Sequence, residues 1–340
     1  MKKFIFIFLI VIACIVLFAQ NSDYVTSEQK EGVSYMIKDD KQKVKVAAAQ
    51  ILTDYNIVQN REKIIKSISE AHKLGCEIIL FHEGCLTGYP DEKQLDKIDF
   101  EMVRTIEKEI RDMAAKLKIS VLLGSSGKAG DSYINYVLII NEYGKVLGKY
   151  IKTWRAGEPY YIAGKGPVIF NVAGIESTII ICHDLRYPEL ARLGVAAGAK
   201  IIFIANNESG ITSENKLLGY RSMQISRATE NMVFAVMSNS PADPKNITRK
   251  NCSHGNSKIV DPLGNVLDEA GVFEERLVIS TLDMEMATGS TVTRVLGKNE
   301  NVNKMYRTNL ENPEYIKWMK KGMNLVQRLD GQDVESYLNY

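Results

Sequence analysis

Between residues 44 and 285 short apolar runs alternate with stretches of helical period, and this constrains the fold more than any other feature of the chain. Segments 44–50 (VKVAAAQ), 77–81 (EIILF), 119–124, 133–141 and 146–151 read as strands, the last two joined by a turn at 141–144. Segments 168–172, 177–181, 200–205, 232–238, 255–260, 266–268 and 277–282 read the same way. Between them, Ile64, Ile68 and Ala71 recur at helical spacing within 60–74, and Gly75 supplies a stop. Met102, Ile106, Ile110, Met113 and Leu117 line a second helical face. Segments 188–197 and 214–230 read as helices too, with Pro188 in a first turn where its missing N–H is harmless. Each strand and each helix must bury one apolar side against another layer. The pattern therefore predicts a layered α/β domain with a mixed sheet over residues 43–285.

The two ends differ from this centre. Met1-Lys2-Lys3 is a basic start, and residues 4–19 are an unbroken apolar run. This is the pattern of a secretion signal, somewhat short for the roughly 20 residues of a membrane span. Residues 11–14 (VIAC) also resemble a bacterial lipoprotein cleavage box, although the 15–18 that follow (IVLF) are unusually apolar for an exposed start. Residues 1–20 are thus read as a signal peptide or as a membrane or lipid anchor, and the choice between cleaved signal, lipid anchor and uncleaved anchor stays open. The expectation is an exported or membrane-anchored protein on the extracytoplasmic face. Residues 21–42 are polar and aperiodic, and read as a linker. Residues 286–340 form a tail with an amphipathic stretch at 313–329, placed either at a subunit interface or back on its own domain.

Composition removes some classes. Lys and Arg number 43 against 41 Asp and Glu, a net charge of +2, with no concentrated basic patch of the kind that nucleic acid requires. The five cysteines are scattered, no CxxC pair occurs and only four histidines are present, which argues against structural zinc and a disulfide framework.

Reactive side chains stand where strands end. Glu83 follows the run 78–81, Lys152 follows 146–151, Cys182 follows 178–181, and Glu158 lies six residues beyond Lys152. Catalytic groups gather where loops leave a rigid sheet. A lone cysteine behind an apolar strand is ordinarily an inert core thiol, and a lone Glu or Lys an exposed charge. Here the surrounding segments change the reading. FHEGCLTGY at 81–89, KYIKT at 149–153 and CHDLRYPEL at 182–190 resemble the glutamate, lysine and nucleophile motifs of the nitrilase superfamily, in family order and spacing. The resemblance covers residues 44–285. It implies an αββα four-layer sandwich that pairs through its helical layer into dimers or larger oligomers, and it implies no metal or organic cofactor. Two positions depart from the family habit. His82 stands where proline is common, and His183, after the cysteine, matches no familiar specificity.

On this resemblance Cys182 is the nucleophile and Glu83 its general base, a role worth about 10²–10⁴-fold. Lys152 and the backbone N–H of His183 would hold the oxyanion, and Glu158 would orient Lys152 or the attacking water. His183, Asp184 and Arg186 are expected substrate contacts, with an Asp184–Arg186 ion pair shaping the turn as the alternative for those two. Cys85 is read as loop packing and His254 as structural. The nucleophile motif looks more like the amidase branches than true nitrilases. The expected reaction is hydrolysis of an amide or carbamoyl amide by water, with release of ammonia through a thioester. Nitrile hydrolysis is the alternative, and acyl transfer or a non-catalytic binding role are more distant ones. Specificity is expected in the loops 208–217 and 241–251. An exported catalytic thiol would risk oxidation, a tension the sequence leaves standing.

Overall fold

Strand β1 (Lys43–Gln50) shows how the layers arise from alternation. Val44, Val46 and Ala48 point into one hydrophobic core, and Ala47 and Ala49 into another. The computed structural model describes residues 42–208, 214–247, 253–296 and 312–332. The N-terminal readings at 1–20 and 21–42 fall outside them, save residue 42.

The first sheet has the order β12-β1-β2-β3-β4-β5, with β2 at Ile78–Phe81, β3 at Ser120–Ala129, β4 at Ser132–Ile140, β5 at Val146–Ile151 and β12 at Arg276–Asp283. β1, β2 and β3 run parallel, and β12, β4 and β5 join antiparallel. Helices α1 (Ile57–Lys73) and α2 (Phe100–Leu117) cover its outer face. Asn56 caps α1 by accepting from the Gln59 N–H, and Asp99 caps α2 by accepting from Glu101 and Met102. Ile64, Ile68 and Ala71 of α1, with Val103, Ile106, Ile110 and Ala114 of α2, pack on Ala47, Ile79, Phe81 and Val121.

The second sheet has the order β11-β10-β9-β8-β7-β6-β13. Its centre is the parallel set β7 (Ile175–Ile181), β8 (Ile201–Asn206) and β9 (Phe234–Asn239). β6 (Val168–Val172), β10 (Lys258–Val260), β11 (Val266–Glu269) and β13 (Gln327–Leu329) flank it. Helices α3 (Pro188–Ala196) and α4 (Glu214–Thr229) pack on its outer side against β7 and β9. Gly194 lets α3 approach closely, since a Cβ there would fall 2.4 Å from the Thr178 hydroxyl. The inner faces meet where β1 and β2 lie against β8 and β9. Val46, Ile78 and Leu80 from one sheet and Ile179, Ile181 and Phe203 from the other fill this core, at about 1.5–3 kcal/mol for each large side chain buried. The result is the expected αββα four-layer sandwich.

Two segments differ from the sequence reading. The apolar pattern stops at Gly124, yet β3 continues to Ala129, because Ser125, Ser126 and Gly127 pair with Tyr136, Asn135 and Ile134 of β4. The stretch 313–329 divides into helix α5 (Pro313–Met323), a turn, and β13, which pairs parallel with β6. Sheet structure therefore extends past residue 285.

Candidate active site

Four strand ends converge. The chain leaves β2 at His82-Glu83, β5 at Lys152, β7 at Cys182 and β8 at Asn207-Glu208. Gly84, at φ +64°, makes the turn after Glu83, and a Cβ there would collide with the Gly88 carbonyl oxygen at 2.2 Å. Cys182 itself has φ +46°, a left-handed conformation that costs a non-glycine residue about 1–3 kcal/mol. The 3-10 turn Cys182–Arg186 and α3 behind it hold that conformation.

Glu83 is fully buried and fixed on both oxygens. Oε1 accepts from Lys152 Nζ at 2.7 Å and Asn135 Nδ2 at 2.7 Å, and Oε2 accepts from the Asn207 N–H at 3.1 Å. Lys152, 2% exposed, also lies 3.3 Å from Glu158 Oε1. Glu158 accepts from the Ala156 N–H at 2.7 Å and from the Tyr89 hydroxyl. The Cys182 thiol donates to Glu208 Oε1 at 3.4 Å. Glu83, Lys152, Glu158 and Cys182 thus stand together, as the sequence expected, and Glu208 joins them.

The electrostatics follow from crowding carboxyls into a dry site. Burial raises the Cys182 thiol well above its ordinary range, Glu208 and Glu83 push the same way, and Lys152 and the Asn207 N–H oppose them. The resting group is a thiol, and a thiol becomes a strong nucleophile only once a base has taken its proton. Burial works against the charge on Lys152, but Glu83 and Cys182 outweigh it and hold the ammonium above its usual range. Burial and the Glu83 charge raise Glu158, and burial lifts Glu208 to about 7. A nucleophile, a fixed cation and several carboxyls within reach can carry acyl transfer to sulfur and then to water.

The three expected substrate contacts separate. Asp184 is fully buried and accepts from the Trp154 N–H at 2.7 Å, the Ile181 N–H at 3.1 Å and the Tyr150 hydroxyl at 2.8 Å. Its oxygens tie the loop after Lys152 to the turn that carries Cys182, and burial lifts its pKa to about 6. Among the described residues it has no ion pair with Arg186. Arg186 instead donates to the Tyr220 hydroxyl at 2.9 Å and lies over the Tyr220 ring. His183 is half-buried, its ring edge-on to Tyr187 at 5.8 Å between centroids. His82 spans from the Glu83 carbonyl at 2.9 Å to that of Ile51 at 3.1 Å, so it ties β2 to the loop after β1.

Sequence reasoning passed over Asn135, Asn207 and Tyr89, and named Glu208 only as the edge of a loop. The available signal was position, since Asn207 and Glu208 follow an apolar strand just as Cys182 does. Of the two loops expected to govern specificity, residues 209–213 and 248–251 lie outside the described residues. Among the described residues no group of three or more His, Cys, Asp or Glu is placed to hold a metal ion.

The carbon–nitrogen hydrolase family profile matches residues 45–290. A 2-oxoglutaramate amidase of Bacillus subtilis is 30% identical over 62% of this chain and 79% of its own length. A protein described as a hydrolase in the agr operon of Staphylococcus lugdunensis is 29% identical over 62% and 88% of the two chains. The crystal structure of an amidase from Nesterenkonia sp. superposes with a TM-score of 0.63 at 21% identity, covering 72% of this chain and 92% of the other, which shows the shared fold.

Proposed function

Because the chain belongs to the carbon–nitrogen hydrolase family, we propose that it is an amidase that splits a small amide or carbamoyl amide with Cys182 as nucleophile. One observation carries this reading: Cys182 stands in a strained turn beside a buried Glu83–Lys152 pair 2.7 Å apart. The 2-oxoglutaramate amidase relative supports the amide over the nitrile.

The geometry suggests the following course. Glu83 removes the thiol proton as sulfur attacks the carbonyl carbon. The oxyanion forms against the Lys152 ammonium and the His183 N–H, each such donor worth about 10²–10³-fold. Glu83 returns its proton to the leaving nitrogen, the carbon–nitrogen bond breaks, and ammonia departs from a thioester. Water then attacks the thioester, again giving a proton to Glu83, and collapse frees the acid and restores the thiol. Glu158 keeps the Lys152 ammonium turned to the site.

The test is ammonia release by the full chain across amides, carbamoyl compounds and nitriles, beside Cys182→Ala. Turnover that vanishes in the variant supports the hydrolase and identifies its substrate class. Release that survives in Cys182→Ala removes Cys182 as nucleophile and sinks the reading.

We also propose that the enzyme works outside the cytoplasm, tethered or delivered by residues 1–20, and that it pairs through a helical layer into dimers or larger oligomers. Fractionation of cells carrying the full chain tests the first, with a purely cytoplasmic distribution against it. Light scattering tests the second, with a monomer at micromolar concentration against it.

A further inference from the structure

The site holds more negative charge than its proposed chemistry uses. Glu83, Glu158, Asp184 and Glu208 are all buried near Cys182, against one buried ammonium, Lys152. Glu83 and Glu158 are engaged with Lys152, and Asp184 is consumed by backbone N–H groups. Glu208 is different. It is 5% exposed, touches the nucleophilic sulfur at 3.4 Å, and has no ion pair among the described residues. The Tyr220 hydroxyl, a neutral group, lies close enough to oppose the rise in its pKa. A carboxylate removed from water without a cation is costly. Beside it, Asn207 is 3% exposed and neither its side-chain nitrogen nor its oxygen has a hydrogen-bond partner among the described residues. Native proteins seldom leave buried polar groups unpaired, and those that do often mark a binding site.

We propose that Glu208 is a specificity-determining carboxylate that selects amides carrying an ammonium on the α or β carbon of the acyl part. This rests on the amidase reading above and names the substrate class of that same site. The reach follows from the contact with sulfur. Once the substrate carbonyl carbon is bonded to Cys182 Sγ, a nitrogen on the next carbon or the one after lies within hydrogen-bonding distance of a carboxylate already against that sulfur. The ammonium would supply the missing cation, and burial at a pKa of about 7 means the charged form of Glu208 is favoured when that cation arrives. Asn207 would accept from the same ammonium through its side-chain oxygen. Arg186 is the natural rival, as an anchor for a carboxylate-bearing amide. Its guanidinium, however, is held on the Tyr220 hydroxyl at 2.9 Å and over the ring at 5.1 Å, so it acts on Glu208 as a nearby charge and not as an ion pair among the described residues.

The experiment compares β-alaninamide, butyramide and succinamate, which differ in charge at similar length, in the full chain and in Glu208→Gln at pH 7. The expected result is a kcat/KM for β-alaninamide above butyramide by about tenfold to a hundredfold, with succinamate last, and a ratio that collapses toward one in Glu208→Gln. A ratio near one in the wild type, or one unchanged by the substitution, overturns the proposal. So does a preference for succinamate that Arg186→Gln abolishes. A second readout does not need amide turnover. Labelling of Cys182 by 2-aminoethyl and 2-sulfonatoethyl methanethiosulfonate, with Cys182→Ala subtracted, reads the charge at the sulfur directly. The cationic reagent should be faster by a similar factor, and Glu208→Gln should remove that lead. If no amide is hydrolysed yet the labelling behaves so, the amidase reading fails, and with it the amide selection assigned to Glu208, while Glu208 is still read as the carboxylate that favours a cation at the sulfur. If labelling shows no charge preference, the role of Glu208 fails whatever the turnover.

Discussion

The first sheet carries two buried Glu–Lys clusters on its opposite faces, and they behave differently. Lys149 and Lys152 lie three residues apart, so the pleat turns them to opposite sides. On the helical side, Lys149 sits over the Tyr136 ring at 4.4 Å and the Tyr136 hydroxyl donates to Glu107 beneath α2. On the inner side, Lys152 meets Glu83, Glu158 and Cys182. Burial raises Glu107 and lowers Lys149, so both drift toward their neutral forms. At Lys152 the neighbouring acids outweigh burial and the ammonium is kept. The cavity between Lys149, Tyr136 and Glu107 is about 20 Å³, room for roughly one water, while a second of about 110 Å³ borders Lys149 beside Gly164 and Val168, away from Glu107. Buried charge alone therefore does not make a catalytic site. The inner cluster differs in holding a cysteine in a strained turn, a cation that stays charged, and polar atoms without partners among the described residues.

The comparison breaks most visibly at the thiols. Cys182→Ala should lower amide turnover by at least about 10⁴-fold, measured as ammonia release. Cys85→Ala, two residues beyond Glu83 but packed in the apolar core, should keep turnover and lose stability on the order of 1 kcal/mol in urea. Comparable loss of activity in both would mean that the sulfur of Cys182 is not special.

The lysines give the next largest contrast. Lys152→Met should reduce kcat by about 10²–10³-fold, since it removes an oxyanion donor. Lys149→Met should leave kcat unchanged within the error of the assay and lower only the melting temperature, because it leaves the buried Glu107 without its cation. Equal kcat losses would erase the distinction between the two faces.

Acid titration sharpens it further. The carboxyl of Glu208 rises from 4.5 to about 7 on folding, so the native state holds that proton more tightly than the unfolded chain. The contribution to stability is then greatest below about pH 4.5 and is lost as pH rises toward about 7, on the order of 3 kcal/mol. Urea unfolding at pH 5 and pH 8 should show this fall in the wild type and a flatter dependence in Glu208→Gln. A slope that persists in Glu208→Gln and disappears in Glu107→Gln would assign it to the other cluster.

Asp184→Asn tests the smallest effect. The new amide N–H₂ would replace one oxygen and so face the N–H of either Trp154 or Ile181, with a cost of about 1–3 kcal/mol in stability. Because Asp184 joins the Lys152 loop to the Cys182 turn, kcat should fall with little change in KM. A KM increase at constant kcat would instead return Asp184 to the substrate contacts.

Much of the architecture was legible in one dimension because each layer needs only a local period. The strand parity of β1, the spacing of Ile64, Ile68 and Ala71, and the stop at Gly75 each report their own burial. The end of β3 and the strand β13 were not legible. Ser125 to Gly127 have no apolar period of their own and are held by pairing with β4, and Gln327–Leu329 is a strand only because β6 offers an edge.

For the site, the sequence by itself determined which candidates to single out, Glu83, Lys152, Cys182 and Glu158, since each stands at or just past a strand end within a recognisable local segment. Tertiary structure alone decided which groups share their space. Glu83 meets Asn207 across 124 residues, and Cys182 meets Glu208 across 26. Asp184 likewise meets the Trp154 N–H across 30 residues, tying two loops, and Glu208 passes from the start of a loop to a neighbour of Cys182. The reason is that charge, pKa and unmet hydrogen bonding depend on through-space distance and lost water, and folding sets both only after the strands have found their partners.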